Sequence, residues 1–241
     1  MSNPAQLGTG SITPYYTDKT TTIYCGDSLE IWPLLGGFDH LITDPPYEAQ
    51  AHSSKRRVLR GGNITINQIG FPPITEHERA EVGRMAAESI ARWSLVFCQV
   101  EAVPLWIAEM TRFGLRYKRT CVWIKPDAQP QISGDRPAVG YENFIAVHAK
   151  GRSRWNGGGK HGVFTYSRDT NLGHQTQKPI KLMRELVRLF TDHGETIIDP
   201  FCGSGTTLRA AKDLGRRAVG IDKNEKYCEI AARRMAQDVL F

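Results

Sequence analysis

The sequence predicts an α/β fold: a Rossmann-like, doubly wound and mostly parallel sheet of seven strands, with helices on both faces. Two observations predict it. Short runs rich in apolar and β-branched residues alternate with longer amphipathic runs along the chain, which is the pattern of a sheet whose strands are joined by helices. A glycine-rich turn at 202–206 also lies between a short apolar run and a helical run, as in folds that bind a nucleotide beyond a strand end.

The strand candidates are short runs with β-forming composition, separated by polar turns and helical segments. Because they alternate with helices, most of them are expected to run parallel. In chain order they are Thr22–Tyr24, His40–Thr43, Ser94–Cys98, Thr120–Ile124, Asn143–His148, Thr196–Ile198 and Arg217–Ile221.

The helix candidates are longer and amphipathic. The fourth is the clearest, because apolar residues from Leu182 to Phe190 recur at helical spacing. Pro179 stands near its start, where a missing N–H costs little. The six candidates are Leu29–Leu35, Glu76–Arg92, Val103–Phe113, Lys181–Asp192, Thr206–Leu214 and Glu225–Gln237.

Length and composition favour one globular unit. With 241 residues, 40% hydrophobic and 23% charged, we expect a single domain over 1–241 with polar insertions at about 48–73 and 127–173. The five cysteines are scattered and form no C-x-x-C pair, which disfavours zinc and redox motifs and fits a reduced, cytoplasmic setting. The histidines have no metal-ligand spacing, and we predict no metal site. No signal peptide or membrane-spanning run is recognised.

The net charge of +6 and the pI of about 9.1 favour an anionic partner such as nucleic acid. Charge alone is weakly specific, because many basic proteins bind no nucleic acid.

The stretch T-I-I-D-P-F-C-G-S-G-T-T at 196–207 runs from a strand into a glycine turn and a helix. Asp222 follows the next strand, about 20 residues beyond the glycines, where a ribose-binding carboxylate is expected. The third glycine of the dinucleotide pattern and the G-K-[ST] of a phosphate loop are both absent. The pattern therefore favours a nucleoside cofactor with a sulfonium and an amino-acid tail. The alternative is an ordinary strand–helix turn.

A second stretch, L-I-T-D-P-P-Y at 41–47, ends a strand with a carboxylate, two prolines and an aromatic ring. Ligands in open α/β sheets bind beyond the carboxyl ends of the strands, so Asp44 and the glycine turn should lie at one edge. We interpret this stretch as the holder of a nucleotide base. A surface turn is the alternative.

Together these motifs resemble the signatures of DNA amino-methyltransferases. T-D-P-P-Y at 43–47 precedes D-P-F-C-G-S-G-T at 199–206, which is similar to the permuted beta group of adenine-N6 enzymes. H-Q-T-Q-K-P at 174–179 and G-D-S-L at 26–29 resemble two further elements, although Gln175 stands where the usual form has proline. The resemblance implies the seven-stranded methyltransferase sheet, S-adenosyl-L-methionine as methyl donor, and transfer to the N6 of a flipped-out adenine in duplex DNA.

The resemblance also implies roles for single residues. Asp27 and Leu29 would hold the cofactor adenine, Asp222 its ribose and Lys178 its carboxylate. Asp27 could instead be a helix N-cap and Lys178 a solvated charge. The implied catalytic residues are Asp44, Pro45, Pro46 and Tyr47, and the implied cofactor residues are Asp27, Ser28, Leu29, Asp44, Lys178, Phe201, Gly203, Ser204, Gly205, Thr206 and Asp222.

The two polar insertions fall where this family reads DNA. Each basic residue there has the alternative of a solvated surface charge. The candidate DNA contacts are Lys55, Arg56, Arg57, Arg60, Arg152, Arg154 and Lys160. Because the recognition region is short, we expect a homodimer in which one subunit modifies the base and its mate grips the DNA. Any restriction endonuclease partner would be a separate chain, and no membrane partner is expected.

Other functions stay open at this point. Aspartate at the first motif position is typical of adenine enzymes and serine of N4-cytosine enzymes, with exceptions, so N4-cytosine methylation is the first alternative. A non-catalytic DNA-binding module is the second. Methylation of RNA or of a protein amide is disfavoured, because those forms tend to carry asparagine in place of Asp44. The chain has no Pro-Cys pair, so a cytosine carbon-5 enzyme is not indicated, and we interpret Cys202 as a packing residue.

Overall fold

A computed structural model of the chain describes residues 12–48, 56–60, 63–67, 72–131, 134–169 and 177–237. Within these ranges a mixed sheet of nine strands forms the centre of the molecule, and a separate two-stranded antiparallel ladder lies in the first insertion. The strands are Tyr16–Thr17 (β1), Thr21–Cys25 (β2), His40–Thr43 (β3), Arg56–Arg60 (β4), Asn63–Asn67 (β5), Trp93–Cys98 (β6), Arg116–Ile124 (β7), Tyr141–His148 (β8), Val163–Thr165 (β9), Thr196–Asp199 (β10) and Arg217–Asp222 (β11).

The main sheet has the strand order β1-β2-β11-β10-β3-β6-β8-β7-β9. The five strands from β2 to β6 in this order pair parallel to one another. Strand β8 runs antiparallel to both of its neighbours, and β1 runs antiparallel to β2. The predicted α/β class with a mostly parallel sheet is therefore confirmed.

The predicted count of seven strands is wrong for the main sheet. The two additional strands, β1 and β9, lie at its two edges and have only two and three residues. Segments this short carry no readable alternation of apolar and polar residues, because the period-2 signal needs about four residues or more. They are defined by pairing with β2 and β7.

The helices cover both faces of the sheet, as predicted. One core contains side chains of the last three helices and the other contains side chains of the first three. The helices are Ser28–Ile31 (α1), which continues as a 3-10 turn over Trp32–Leu34, then Glu76–Ser89 (α2), Val103–Arg112 (α3), Ile180–Phe190 (α4), Thr206–Asp213 (α5) and Glu225–Met235 (α6).

Local sequence explains where these helices begin. The Thr75 hydroxyl accepts from the N–H of Glu78 and the Glu78 carboxylate accepts from the N–H of Thr75, a reciprocal cap that starts α2. The Asn224 side chain accepts from the N–H of Lys226 and caps the start of α6. Helix α4 begins directly after Pro179 and buries its apolar stripe, including Leu182 and Leu186, against the sheet.

The topology brings the two motif-bearing strand ends together. Strands β3 and β10 are hydrogen-bonded neighbours, with Ile197 opposite His40 and Ile198 opposite Leu41. Asp44 and the glycine loop follow these strands directly, so both lie at the carboxyl edge of the sheet, as the sequence predicted. The Tyr47 carbonyl accepts from the N–H of Ile74 at 3.2 Å, which ties together the two ends of the first insertion. In the described ranges, no helix is long and apolar enough to cross a membrane.

Candidate active site

Asp44 lies at the centre of the carboxyl edge, with one carboxylate oxygen hydrogen-bonded and the other unpaired among the described residues. Its Oδ2 accepts a hydrogen bond from the Lys178 ammonium at 2.5 Å. Its Oδ1 is buried and has no hydrogen-bond partner among the described residues. Burial raises the pKa of Asp44, and Lys178 works against that increase. A carboxylate oxygen that is desolvated and unpaired is costly unless a donor reaches it, which makes Oδ1 an acceptor site for a bound molecule.

Lys178 is a buried cation between two carboxylates. Its side chain is 6% exposed, and its Nζ lies 3.0 Å from Glu142 as well as beside Asp44. The ammonium also lies over the Phe97 ring, 5.0 Å from the ring centroid. Burial would lower the pKa of Lys178, but the two carboxylates raise it above its ordinary value. These contacts differ from those of a solvated surface charge, which was the alternative for Lys178.

Glu142 is a site residue that the sequence analysis missed. It lies near the start of β8, where it accepts from Lys125 at the end of β7 and pairs with Lys178. Burial alone would raise the pKa of Glu142, but the two lysines lower it to about 2. One feature of the sequence could have indicated this residue: a carboxylate near the start of a strand that is mostly apolar.

Tyr47 and the two prolines complete the D-P-P-Y segment. Pro45 is buried, while Pro46 and Tyr47 are half-buried. The Tyr47 hydroxyl lies 3.5 Å from the Lys178 ammonium and interacts with Glu142. Burial raises the pKa of Tyr47 well above its ordinary range, and Glu142 adds to this. The hydroxyl therefore stays protonated, and the ring is held beside Asp44.

The two glycines of the loop, Gly203 and Gly205, differ in the space around them. Both have left-handed backbones, with φ of +52° at Gly203 and +77° at Gly205, a conformation that glycine adopts without strain. A Cβ at Gly205 would lie 2.9 Å from the Cβ of Ala231, so this glycine permits α6 to pack closely. A Cβ at Gly203 would meet no atom of the described chain within 4 Å. The loop at Gly203 thus leaves open space at the sheet edge.

Asp222 lies beside the glycine loop, at the end of β11. Its Oδ2 accepts from the N–H of Gly203 at 2.9 Å and its Oδ1 accepts from the N–H of Asn224 at 2.8 Å. The carbonyl of Asp222 accepts from the N–H of Gly26 at 3.0 Å. These bonds bring the ends of β2 and β11 together with the glycine loop, which is the set of segments that the sequence predicted for a nucleoside.

The remaining predicted cofactor residues lie around this loop. The Ser204 hydroxyl donates to Gln177 at 2.9 Å, and Arg234 donates to the Ser204 carbonyl and the Thr206 hydroxyl. Phe201 packs against the core on the side of α1 to α3. Asp27 accepts from the N–H of Leu29 at 2.8 Å and is the N-cap of α1, whose first residue, Ser28, is buried. The N-cap alternative for Asp27 is therefore present in the structure.

The predicted DNA contacts are spread over different parts of the molecule. Lys55 is outside the described residues, and Arg56, Arg57 and Arg60 belong to β4. Arg152 is exposed. Lys160 pairs with Glu185 of α4 at 2.9 Å.

Arg154 lies away from the other site residues. Its guanidinium pairs with Asp192, which follows α4 and precedes β10. Its carbonyl accepts from the indole N–H of Trp93, the first residue of β6, at 2.7 Å. Arg154 therefore lies at the amino edge of the sheet, opposite Asp44.

The geometry defines one candidate site along the carboxyl edge. An unpaired acceptor oxygen and an aromatic ring lie on one side, and an open glycine loop with a carboxylate at the next strand end lies on the other. Such an edge suits two bound molecules placed next to each other, one on each side.

Comparison with known proteins supports a family assignment. The profile of the DNA methylase family N6_N4_Mtase matches residues 38–233. The putative methylase YubD of Escherichia coli (strain K12) is 35% identical over 214 residues, which is 88% of each chain. Type II methyltransferase M2.DpnII of Streptococcus pneumoniae is 48% identical over 62 residues, 26% of this chain. That alignment spans only 23% of the length of M2.DpnII.

Two solved structures share the fold. The M1.HpyAVI–SAM complex has a TM-score of 0.70 at 22% identity and covers 90% of this chain and 100% of its own. PvuII DNA methyltransferase, described as cytosine-N4-specific, has a TM-score of 0.73 at 16% identity, covering 95% of this chain and 90% of its own. At these identities the likeness concerns the fold. The profile match and the near full-length similarity to YubD show that the chain belongs to the N6/N4 DNA methylase family.

Proposed function

We propose that the chain transfers a methyl group from S-adenosyl-L-methionine to the exocyclic N6 of an adenine in duplex DNA. The observation that carries the proposal is the buried Oδ1 of Asp44, which has no hydrogen-bond partner among the described residues. It lies beside Tyr47, on the strand next to the one that leads into the glycine loop. A buried acceptor next to an aromatic face suits an amino group on a flat base.

The chemistry explains why these residue types are needed. The lone pair of the adenine amine is delocalised into the ring, which makes the amine a poor nucleophile. Acceptors on its N–H groups draw the lone pair out of conjugation, and we assign that role to Asp44 and the Pro45 carbonyl. Tyr47 stacks on the base, an interaction worth about 1–3 kcal/mol per base. Since the amine is inaccessible in a duplex, the base must be flipped out.

The residues on the other side of the edge fit the cofactor. S-adenosyl-L-methionine, when bound, supplies a methyl group on a sulfonium that accepts attack directly. Gly203 leaves the space that a close-lying ligand needs, and we assign the ribose contact to Asp222. We assign Asp27, Ser28 and Leu29 to the adenine end. We assign Phe201, Gly203 and Gly205, with the adjoining Ser204 and Thr206, to the methionine side. Lys178 contacts Asp44 and Glu142, so we assign it a role beside the catalytic carboxylate, and its pairing with the cofactor carboxylate stays a prediction.

Positioning supplies most of the acceleration in this proposal. Holding nitrogen, methyl and sulfur in line lowers the barrier by about 7–11 kcal/mol for well-oriented reactants. The stiff Pro45–Pro46 backbone aims the Asp44 carboxylate. Asp44 need not be a strong base, because the amine becomes acidic only when the methyl group has been transferred.

The proposal extends to the domain organisation, the location and the partners of the chain. One catalytic domain over 1–241 acts in the cytoplasm, with the insertions at about 48–73 and 127–173 contacting DNA. We propose a homodimer on duplex DNA, and a restriction endonuclease, where present, as a separate chain. Light scattering that detects only monomer, with and without DNA, would refute the dimer.

N4-cytosine transfer is the second candidate, because a solved structure with the same fold is described as cytosine-N4-specific. Both candidates are tested together by incubating the protein with methyl-labelled S-adenosyl-L-methionine and unmethylated genomic DNA. Enzymatic digestion and chromatography then identify the labelled nucleoside. N6-methyladenine is expected. N4-methylcytosine would replace the base assignment, and DNA binding without transfer would favour the non-catalytic module.

A further inference from the structure

Four charged side chains alternate in sign beneath the candidate base site. Lys125 pairs with Glu142, Glu142 pairs with Lys178, and Lys178 pairs with Asp44. The side chains of Lys125, Glu142, Lys178 and Asp44 are 13%, 17%, 6% and 30% exposed in that order. All four come from different segments: the ends of β7, β8 and β3, and the residues before α4. Two cations and two carboxylates balance, as buried charges must.

The pairing of Lys178 with Asp44 poses a chemical problem. An ammonium that closed on both oxygens of Asp44 would occupy the acceptor that the substrate amine needs. In the structure only Oδ2 is engaged, and Oδ1 has no partner within the described chain. The second contact of the ammonium is with Glu142 instead, at 3.0 Å.

We propose that Glu142 is a positioning residue that holds the Lys178 ammonium between two carboxylates, so that Oδ1 of Asp44 stays unpaired and can accept from the substrate amine. This inference rests on the proposed methyl transfer and deepens it. Glu142 also interacts with the Tyr47 hydroxyl and so helps to fix the ring that stacks on the base. Lys125 fixes Glu142 from the other side and lies over the Trp123 ring, 4.7 Å from the ring centroid.

The charge on Glu142 also acts on Asp44 through space. The groups that influence the Asp44 carboxylate, or that it influences, are Lys178, Glu142, Lys125, Tyr47, Cys98 and Asp199. Among them Glu142 raises the pKa of Asp44, and Lys178 and Lys125 lower it. Removing the Glu142 charge therefore lowers the pKa of Asp44. It also lowers the pKa of Lys178, which Glu142 raises.

The test compares Glu142→Gln with wild type in steady-state methyl transfer across pH. We expect kcat to fall about 100-fold, the loss that a misplaced reacting group causes, with no change in KM for S-adenosyl-L-methionine. Activity needs ionised Asp44 and protonated Lys178, so both limbs of the kcat/KM profile should move to lower pH. Glu142→Asp keeps the charge and should keep both limbs at their wild-type positions.

Two further variants keep the test decisive. Glu195→Gln removes a carboxylate of matched exposure, 19%, from a charge network with Arg92 and His40 at the amino edge, and should leave both limbs in place. Lys125→Met removes a cation that lowers the pKa of Asp44, so its acid limb should move to higher pH, opposite to Glu142→Gln. If Glu142→Gln does not fold, Lys125→Met is compared with wild type by itself, and an acid limb that does not move contradicts the inference.

The outcomes separate the two proposals. A wild-type chain that transfers no methyl group to DNA overturns the proposed function and this inference with it. An active wild type whose Glu142→Gln variant keeps its kcat, or loses activity with unmoved limbs, overturns the role of Glu142 alone. Acid limbs that move to lower pH in Glu142→Gln and to higher pH in Lys125→Met support it.

Discussion

The Thr43 hydroxyl donates a hydrogen bond to Oδ1 of Asp199 at 2.8 Å, and the two residues are 156 positions apart in the sequence. The two residues end the neighbouring strands β3 and β10, so this bond links the segment that carries Asp44 to the one that carries the glycine loop. Asp199 is 2% exposed, and it also accepts from the N–H of Phe201. Movement of one strand end relative to the other would break the Thr43 bond and remove one of the hydrogen bonds that this buried carboxyl accepts, which is costly.

Asp199 should make stability fall as pH rises. Burial raises its pKa to about 7, although hydrogen bonds from Thr207 and Thr43 lower it, whereas its ordinary value is 3.8. Between these two values the folded chain binds more protons than the unfolded chain, so the free energy of unfolding decreases by up to about 1.4 kcal/mol per pH unit. Above pH 7 the loss is complete.

The isosteric variant Asp199→Asn cannot ionise and should lack this loss. Its free energy of unfolding relative to wild type, measured by urea denaturation, should therefore increase from pH 4 to 7 and then level off. Other carboxyl groups titrate alike in both proteins and cancel in the difference. A constant difference over this range would show that Asp199 ionises at an ordinary pH in the folded chain.

The two glycines of the loop should separate folding from cofactor binding. Alanine at either position strains a left-handed backbone by about 1–2 kcal/mol. At Gly205 the added methyl also meets Ala231 at 2.9 Å, which should cost about 1–3 kcal/mol more. At Gly203 it projects into open space where we place the cofactor.

Gly203→Ala should thus be the more stable variant in urea denaturation and Gly205→Ala the less stable one. Titration calorimetry with S-adenosyl-L-methionine, at a temperature where both are folded, should show the larger loss of affinity for Gly203→Ala. Equal affinities for Gly203→Ala and wild type would place the cofactor elsewhere along the edge.

The sequence predicted the parts of the site that follow from strand ends. Asp44 and the glycine loop both follow apolar runs, and parallel strands present such ends at one edge, which the pairing of β3 with β10 confirms. The bounds His40–Thr43 agree with the predicted strand. The edge strands β1 and β9 were missed because two or three residues carry no periodic signal.

The partners of Lys178 could not be predicted for a different reason. Glu142 reaches the site because β8 runs antiparallel between β6 and β7, which places its first residues at the carboxyl edge. The alternation of strands and helices predicts mostly parallel neighbours and gives no sign of one reversed strand. The long-range pair of Lys178 with Glu142 depends on that reversal, so the alternation of strands and helices could not predict it.

Asp44→Ala should abolish methyl transfer while leaving cofactor binding largely intact. The variant loses the acceptor at Oδ1 that positions the substrate amine, and a misplaced reacting group costs about 100-fold in rate. Lys178 keeps Glu142 as its partner at 3.0 Å, which limits the structural damage. Calorimetry with S-adenosyl-L-methionine provides the internal control. Normal turnover in this variant would disprove the assigned role of the carboxylate.

The basic residues should differ in their effect on DNA binding according to which edge they occupy. Arg56, Arg57 and Arg60 belong to β4, inside the insertion that begins directly after the D-P-P-Y segment. Arg154 lies at the opposite, amino edge, and its charge is paired with Asp192. Hydrogen bonds from Asn156, Arg154 and Arg92 lower the pKa of Asp192 to about 2, although burial acts to raise it.

Replacing the three β4 arginines by glutamine should therefore weaken DNA binding and flatten its salt dependence. Each lost phosphate contact reduces the slope of log K against log salt concentration by about 0.9. Arg154→Gln removes the same charge per residue from the other edge and should leave the slope unchanged, while lowering the free energy of unfolding through the loss of the Asp192 pair. Fluorescence anisotropy with labelled duplex DNA over a series of salt concentrations measures the slopes, and urea denaturation measures the free energy of unfolding. A slope for Arg154→Gln that is flatter than that of wild type would mean that the DNA reaches the amino edge.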